Sequence, residues 1–227
     1  MRLLFAPAED VRQLFGRALL WLVLTVVCWY LLVPLLHWPI RWFLSGMALL
    51  GVPEFVSGVT QTPTGFEFET RLAPGAESGL AFRPGGQIAV TVDARLYTYG
   101  AALFAALTLA VWDARRWRYL AIGWLVLLPF QMLAVYAAGM KQIVIDGGPA
   151  VAAQIDWARW QIEAVAYLYQ FSTLIMPPVT AVVVWLVLHR RFVERFVGAD
   201  VLALLRTSAR SARERETRQP SSAGTPG

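Results

Sequence analysis

The sequence predicts an all-α transmembrane bundle of four spans, with a small extracytoplasmic β-rich insertion between the first span and the second. Three observations predict it. The 227 residues are 57% hydrophobic and only 15% charged, against roughly 25% charged in an ordinary soluble domain. The charge is segregated, with long apolar runs alternating with short basic patches. One stretch, 52–95, breaks this pattern with prolines, glycines and short segments that alternate apolar and polar residues.

Residues 1–17 form a basic N-terminus that ends at Arg17. The run 18–36, ALLWLVLTVVCWYLLVPLL, is the first span. At 1.5 Å per residue it covers roughly 28 Å, close to the hydrocarbon thickness. HWPIRWF follows it in place of a small-residue cleavage site, so the run reads as an uncleaved anchor. Residues 37–51 are too short to span. Ile40, Phe43, Leu44, Met47 and Leu50 share one helical face there, which predicts a helix on the outer surface held by Trp38 and Trp42. In the 52–95 unit three stretches read as strands: Glu54 to Thr60, Gly65 to Leu72 and Gln87 to Asp93. Phe66 and Phe68 point one way and Glu67 and Glu69 the other. A unit this small is marginal alone and needs the membrane surface or a partner to pack on.

The second span is 96–112, followed by a basic cytoplasmic turn at 113–118. The third span is 119–139. The outer loop 140–161 carries the turn signal Asp146-Gly147-Gly148 and a short amphipathic helix. The fourth span, 162–188, contains Pro177-Pro178, which remove backbone donors and kink or locally unwind the helix. Residues 189–206 read as a cytoplasmic interfacial helix, with Val193, Val197, Val201, Leu204 and Leu205 in one stripe. The tail 207–227 is rich in Arg, Ser, Glu and Pro, a composition that predicts disorder.

Orientation follows from arginine placement. Arg2, Arg12 and Arg17, then Arg115, Arg116 and Arg118, then Arg190, Arg191 and Arg195 cluster on one side. Arg41, Arg71, Arg83, Arg95, Lys141 and Arg159 are dispersed on the other. Both ends are therefore expected in the cytoplasm. The same clustering accounts for the net charge of +5 as orientation charge beside an anionic lipid face, and no motif that reads nucleic acid accompanies it.

Few residues carry chemistry. Cys28 is the sole cysteine and sits inside an apolar run, without the electropositive surroundings of a reactive thiolate. His37 and His189 fall on opposite membrane faces, which leaves no metal-ligand set. His37 near Ser45 lacks the sequence context of a nucleophile and an orienting acid. No catalytic residue, cofactor or metal is expected. Polar side chains inside spans remain the natural candidates. Gln131 and Gln170 each lie roughly 10–12 Å below the outer surface, where they can bond to each other or to a partner. Glu163, Tyr167 and Gln170 share one face of the fourth helix, and Glu163 can pair with Arg159 one turn back. Gln131, Glu163, Tyr167 and Gln170 together are the expected partner contact, with packing between the chain's own helices as the alternative.

The stretches WYLLVPLL at 29–36, YTYGAALFAALTLA at 97–110 and LLPFQ at 127–131 make the chain resemble a family of small bacterial proteins, the exosortase H-associated membrane proteins. WQIEAVAYLYQFSTLIMPPVTAVVVWLVLHRRF, from Trp160 to Phe192, is the strongest of these matches. The resemblance covers about 14–192. It implies a place in the bacterial inner membrane beside an exosortase, a transpeptidase-like enzyme that processes exported proteins bearing a C-terminal sorting signal. Enzymes of that kind use a membrane-embedded Cys with Arg and His. Cys28 has no such neighbours at its depth, so the resemblance implies an accessory subunit with an exosortase-like partner. Two other functions compete. A small enzyme acting on a lipid or lipid-linked substrate would use Glu163 as its acid and base. A transporter component would need charged residues deep in its spans, and these are missing.

Overall fold

The computed structural model describes residues 11–51, 54–73, 87–111 and 113–194. The expected N-terminal segment up to residue 10, the loop 74–86, most of the interfacial helix 189–206 and the tail 207–227 lie outside the described residues. Two compact units divide at Leu188 and His189. Within the second, the amides of Phe192 and Val193 donate to the His189 carbonyl and open a helical turn.

The first unit begins with α1, Val11–Leu36. Its 26 residues extend about 39 Å. Pro34 lies in its last turn, and α2, Trp38–Gly51, starts again after a turn at His37. Three strands follow: β1 Val56–Gln61, β2 Phe66–Thr70 and β3 Ala89–Val92. They form one antiparallel sheet in the order β1-β2-β3. The β1–β2 turn closes through Thr62 and Gly65, whose amides and oxygens bond at 2.9 and 3.0 Å. Gln61 pairs with Phe66, and Phe66 pairs in turn with Val92. This register places Phe66, Phe68 and Thr70 on the buried face, with Glu67 and Glu69 opposite, as a period of two requires.

After α3, Arg95–Thr98, and a break at Tyr99 comes α4, Gly100–Val111. The long helix α5, Arg116–Lys141, continues into a π-helical turn at Gln142–Asp146. Then come α6, Pro149–Ile155, α7, Arg159–Leu174, and α8, Met176–Leu188. α1 packs along α4, α4 against α8, and α5 against both α7 and α8.

Among the described residues two helices are long and apolar enough to cross a membrane, Arg12–Leu36 and Arg116–Asp146. A third crossing exists if α7 and α8 are one span, bent by 58°. The bend sits at Ile175, directly before Pro177 and Pro178, which cannot donate to the preceding turn. The region of the expected second span is the shorter apolar helix Arg95–Val111.

α5 is longer than a hydrocarbon core needs, and its last turns carry the sheet. The core there joins Ile40 and Leu44 of α2, Phe55, Val59, Phe66, Phe68, Val90 and Val92 of the sheet region, and Val135, Ala138, Met140 and Ile143 beside them. Gly139 makes this docking feasible, since a Cβ there would stand 2.6 Å from the Phe68 ring. The carboxamide of Gln154 on α6 pairs with both the amide and the carbonyl of Ala73, each at 2.9 Å. This bond stitches the chain beyond β2 to the same cap.

Candidate functional site

The four polar residues singled out in the sequence fall into two places. Gln131 is inside. It is 6% exposed and lines a small cavity with Tyr97, Gly100, Met176, Pro177 and Thr180. Gly100 brings α4 against the backbone of Pro177, where a Cβ would collide. The cavity holds about 10 Å³, close to the room one water needs. The amide nitrogen of Gln131 has no hydrogen-bond partner among the described residues.

Beside it the inward face of α7 supplies groups that the sequence reading passed over. The Tyr97 hydroxyl hydrogen-bonds the side chains of Tyr169 and Thr173, and the Thr173 hydroxyl donates to the Tyr169 carbonyl at 2.8 Å. The Lys141 ammonium lies 5.3 Å from the Tyr169 ring centre and pairs with Asp146 at 2.7 Å. Tyr169 and Thr173 are four residues apart, so they share a face. That spacing was the only signal in the sequence that could have found them.

Glu163, Tyr167 and Gln170 share an exposed side of α7, turned away from the Tyr169–Thr173 face. Glu163 accepts a 2.8 Å bond from Arg159, the i, i+4 pair the spacing predicts. Tyr167 is 71% exposed, and Gln170 is exposed too. Trp160, Phe171 and Leu174 flank them, all exposed. The expected convergence of Gln131 with Gln170 is therefore absent. A helical period places the midpoint of residues 167 and 170 about 110° around the axis from that of Tyr169 and Thr173, and the Tyr169–Thr173 face is the one turned to α5.

A third polar centre ties the cap to the helices. His37 is fully buried, with its ring 5.5 Å from Phe66. Its Nε2 lies 3.2 Å from the Thr98 hydroxyl. That hydroxyl donates to the Ala94 carbonyl at 3.0 Å, so it accepts from His37 and fixes the Nε2–H tautomer. Nδ1 has no hydrogen-bond partner among the described residues. Burial pushes the His37 pKa down to about 4, opposed by the Asp93 carboxylate and helped by Arg95. The imidazole is thus uncharged at neutral pH. Asp93 is itself gripped by Arg95 at 2.9 and 2.5 Å, and that hydrogen bonding holds its carboxyl below the ordinary range. The Arg95 guanidinium also stacks over Tyr30 at 5.6 Å. His37 is accounted for by Thr98, across 61 residues of chain, and the pairing with Ser45 weighed from sequence is not its arrangement.

Cys28 opens onto an apolar groove of about 290 Å³ between α1, α4 and α5, with Thr25, Trp29, Ala102, Phe104 and Trp124 among its walls. Thr25 donates to the Ala102 carbonyl at 3.0 Å and pins α1 to α4 there. Among the described residues no group of three or more His, Cys, Asp or Glu side chains is placed to hold a metal ion.

No curated protein and no solved structure matches the chain. A family model described as "Exosortase H-associated membrane protein" matches residues 8–192. The match takes in all three polar centres, the sheet and α1 to α8, and the family's name agrees with the apolar helices in making this a membrane protein. The chain belongs to the exosortase H-associated membrane protein family.

Proposed function

We propose that this chain is a non-catalytic accessory subunit of an exosortase-type protein-sorting system in the bacterial inner membrane. The observation that carries the reading is the family match over 8–192, which names an association with an exosortase. The chemistry of the polar groups supports a helper rather than a catalyst. Gln131 is an amide, which neither titrates nor attacks. The Glu163 carboxylate is committed to Arg159. His37 gives its one N–H to Thr98.

In this reading the chain crosses the bilayer four times. The helix Arg95–Val111 covers about 25 Å, enough to cross a slightly thinned bilayer. The α7–α8 pair is one broken span, tolerated where neighbouring helices satisfy the freed backbone. The arginine clusters at 115–118 and 190–191 keep both ends cytoplasmic. The sheet, α2 and α6 then stand on the outer surface, where an exported protein's sorting segment emerges. The partner contact lies on the outer half of α7, which carries Glu163, Tyr167 and Gln170 on its exposed side.

Two measurements test this. Reporter fusions after residues 50, 115, 150 and 210 read outside, inside, outside and inside. An affinity tag on the chain recovers the exosortase from solubilised native membranes. An outside reading at 210, or clean recovery of the chain without the exosortase, contradicts the proposal.

A further inference from the structure

Among the described residues the Gln170 carboxamide has no hydrogen-bond partner. It stands ten residues beyond Trp160, about 15 Å along α7. With Trp160 at the headgroup level, where tryptophans settle, Gln170 lies inside the hydrocarbon. It is exposed there, and lipid tails offer no hydrogen bond. An amide so placed is costly until something satisfies it.

The surroundings describe what that something is. Among the described residues α7 packs against α5, α8, α3 and the π-helical turn, and Ser172 is its sole buried residue. Its outward strip runs Trp160, Glu163, Tyr167, Gln170, Phe171 and Leu174, with Tyr167 at 71% and Leu174 at 73% exposure. These positions fall within about 100° of arc at 100° per residue, the width one neighbouring helix covers. Bulky apolar and aromatic side chains frame a polar ladder at 163, 167 and 170.

We propose that this strip seats one transmembrane helix of the partner, whose own amide or hydroxyl side chain satisfies Gln170. The proposal rests on the accessory reading above and names its surface. The ladder specifies the partner helix further. It carries a basic or neutral donor near its outer end, opposite Glu163. It carries an amide or hydroxyl about 10 Å deeper, the rise over seven residues. A second copy of this chain fits less well. All copies insert the same way round, so a two-fold axis would run along the membrane normal. Each Glu163 would then face its own equivalent at the same depth, and each Arg159 likewise, which a selective interface avoids. Gln131 has no part in the seat, being buried against Pro177 and Thr180.

The test compares recovery of the exosortase by tagged wild type, Gln170→Leu and Gln170→Asn. The leucine variant is expected to recover three- to tenfold less, the range of one interhelical hydrogen bond in a membrane. Asparagine should restore part of it, and both variants should melt with the wild type. In a Cys28→Ala background, Tyr167→Cys carrying a photoactivatable maleimide should cross-link to the exosortase. Leu31→Cys, on the exposed side of α1, should not. Full recovery by Gln170→Leu with no cross-link from residue 167 overturns the seat and leaves the accessory reading standing. A cross-link from 167 to a second copy, or a lowered melting temperature for Gln170→Leu, also overturns it. If the wild type recovers no exosortase, the accessory reading itself fails.

Discussion

Phe66 and Phe68 in the cap are fully buried, while Val23, Leu31 and Leu35 on α1 are among the most exposed side chains of the molecule. The two regions use the same apolar chemistry to opposite ends. The sheet closes a core against α2 and the last turns of α5, as a water-soluble unit does. Of the most apolar window of α1 only 11% is buried, against 44% for α5. α1 turns its hydrophobic surface outward because lipid is its solvent, and lipid exerts no hydrophobic drive between helices. Stability in the cap should therefore depend on volume and fit, and on α1 it should depend on almost nothing that faces out.

The sharpest way to break this comparison is in the cap. Phe68→Ala should cost about 3–5 kcal/mol, read as the midpoint of denaturant unfolding in detergent. Gly139→Val should be comparably severe, since its Cβ would stand 2.6 Å from the Phe68 ring. A near-wild-type midpoint for both would mean the cap is not docked on α5.

Acid should act next most strongly, through His37. Its folded pKa of about 4 lies below its ordinary 6.5, so on acidification the unfolded chain takes the proton first. The contribution is whole above pH 6.5 and is lost as pH falls toward 4, by at most roughly 3 kcal/mol. His37→Gln should flatten the pH dependence of unfolding across that window. An unchanged slope in the variant would mean that the imidazole is not held uncharged.

Smaller effects fall within the helices. Gln131→Leu removes an amide nitrogen that has no partner among the described residues, so it should change stability by less than about 1 kcal/mol and can raise it. A loss of 2 kcal/mol or more would reveal a water holding Gln131 to its neighbours. Leu31→Ala should be the mildest, within about 0.5 kcal/mol. A cap-sized loss there would erase the difference between the two regions.

What the sequence made legible was whatever repeats with a short period. Apolar runs marked the helices, alternation at 66–69 marked a strand with one buried face, and Pro177-Pro178 marked the bend of 58° between α7 and α8. The resemblance in Trp160 to Phe192 pointed to the family that the match over 8–192 shows. Contacts between distant segments were not legible. His37 meets Thr98 across 61 residues, and no local pattern marks either. The face of α7 was also hidden. Tyr169 with Thr173 and Tyr167 with Gln170 are equally polar pairs, and a membrane helix gives no hydrophobic contrast to say which pair turns inward. Neighbours decide it, and the inward pair is the one that meets Tyr97. Gln131 was found because it interrupts an apolar run, but its surroundings come from α3, α4 and α8, which sequence spacing does not bring together.

The central claim is that the chain assists an enzyme and performs no chemistry itself. Its most direct test is a reconstitution in liposomes with an exported protein carrying a C-terminal sorting signal. Processing of that protein is measured with this chain alone, with the exosortase alone and with both. The account predicts no processing by the chain alone and more by the pair than by the exosortase alone. Processing by the chain alone, or an exosortase indifferent to its presence, would contradict it.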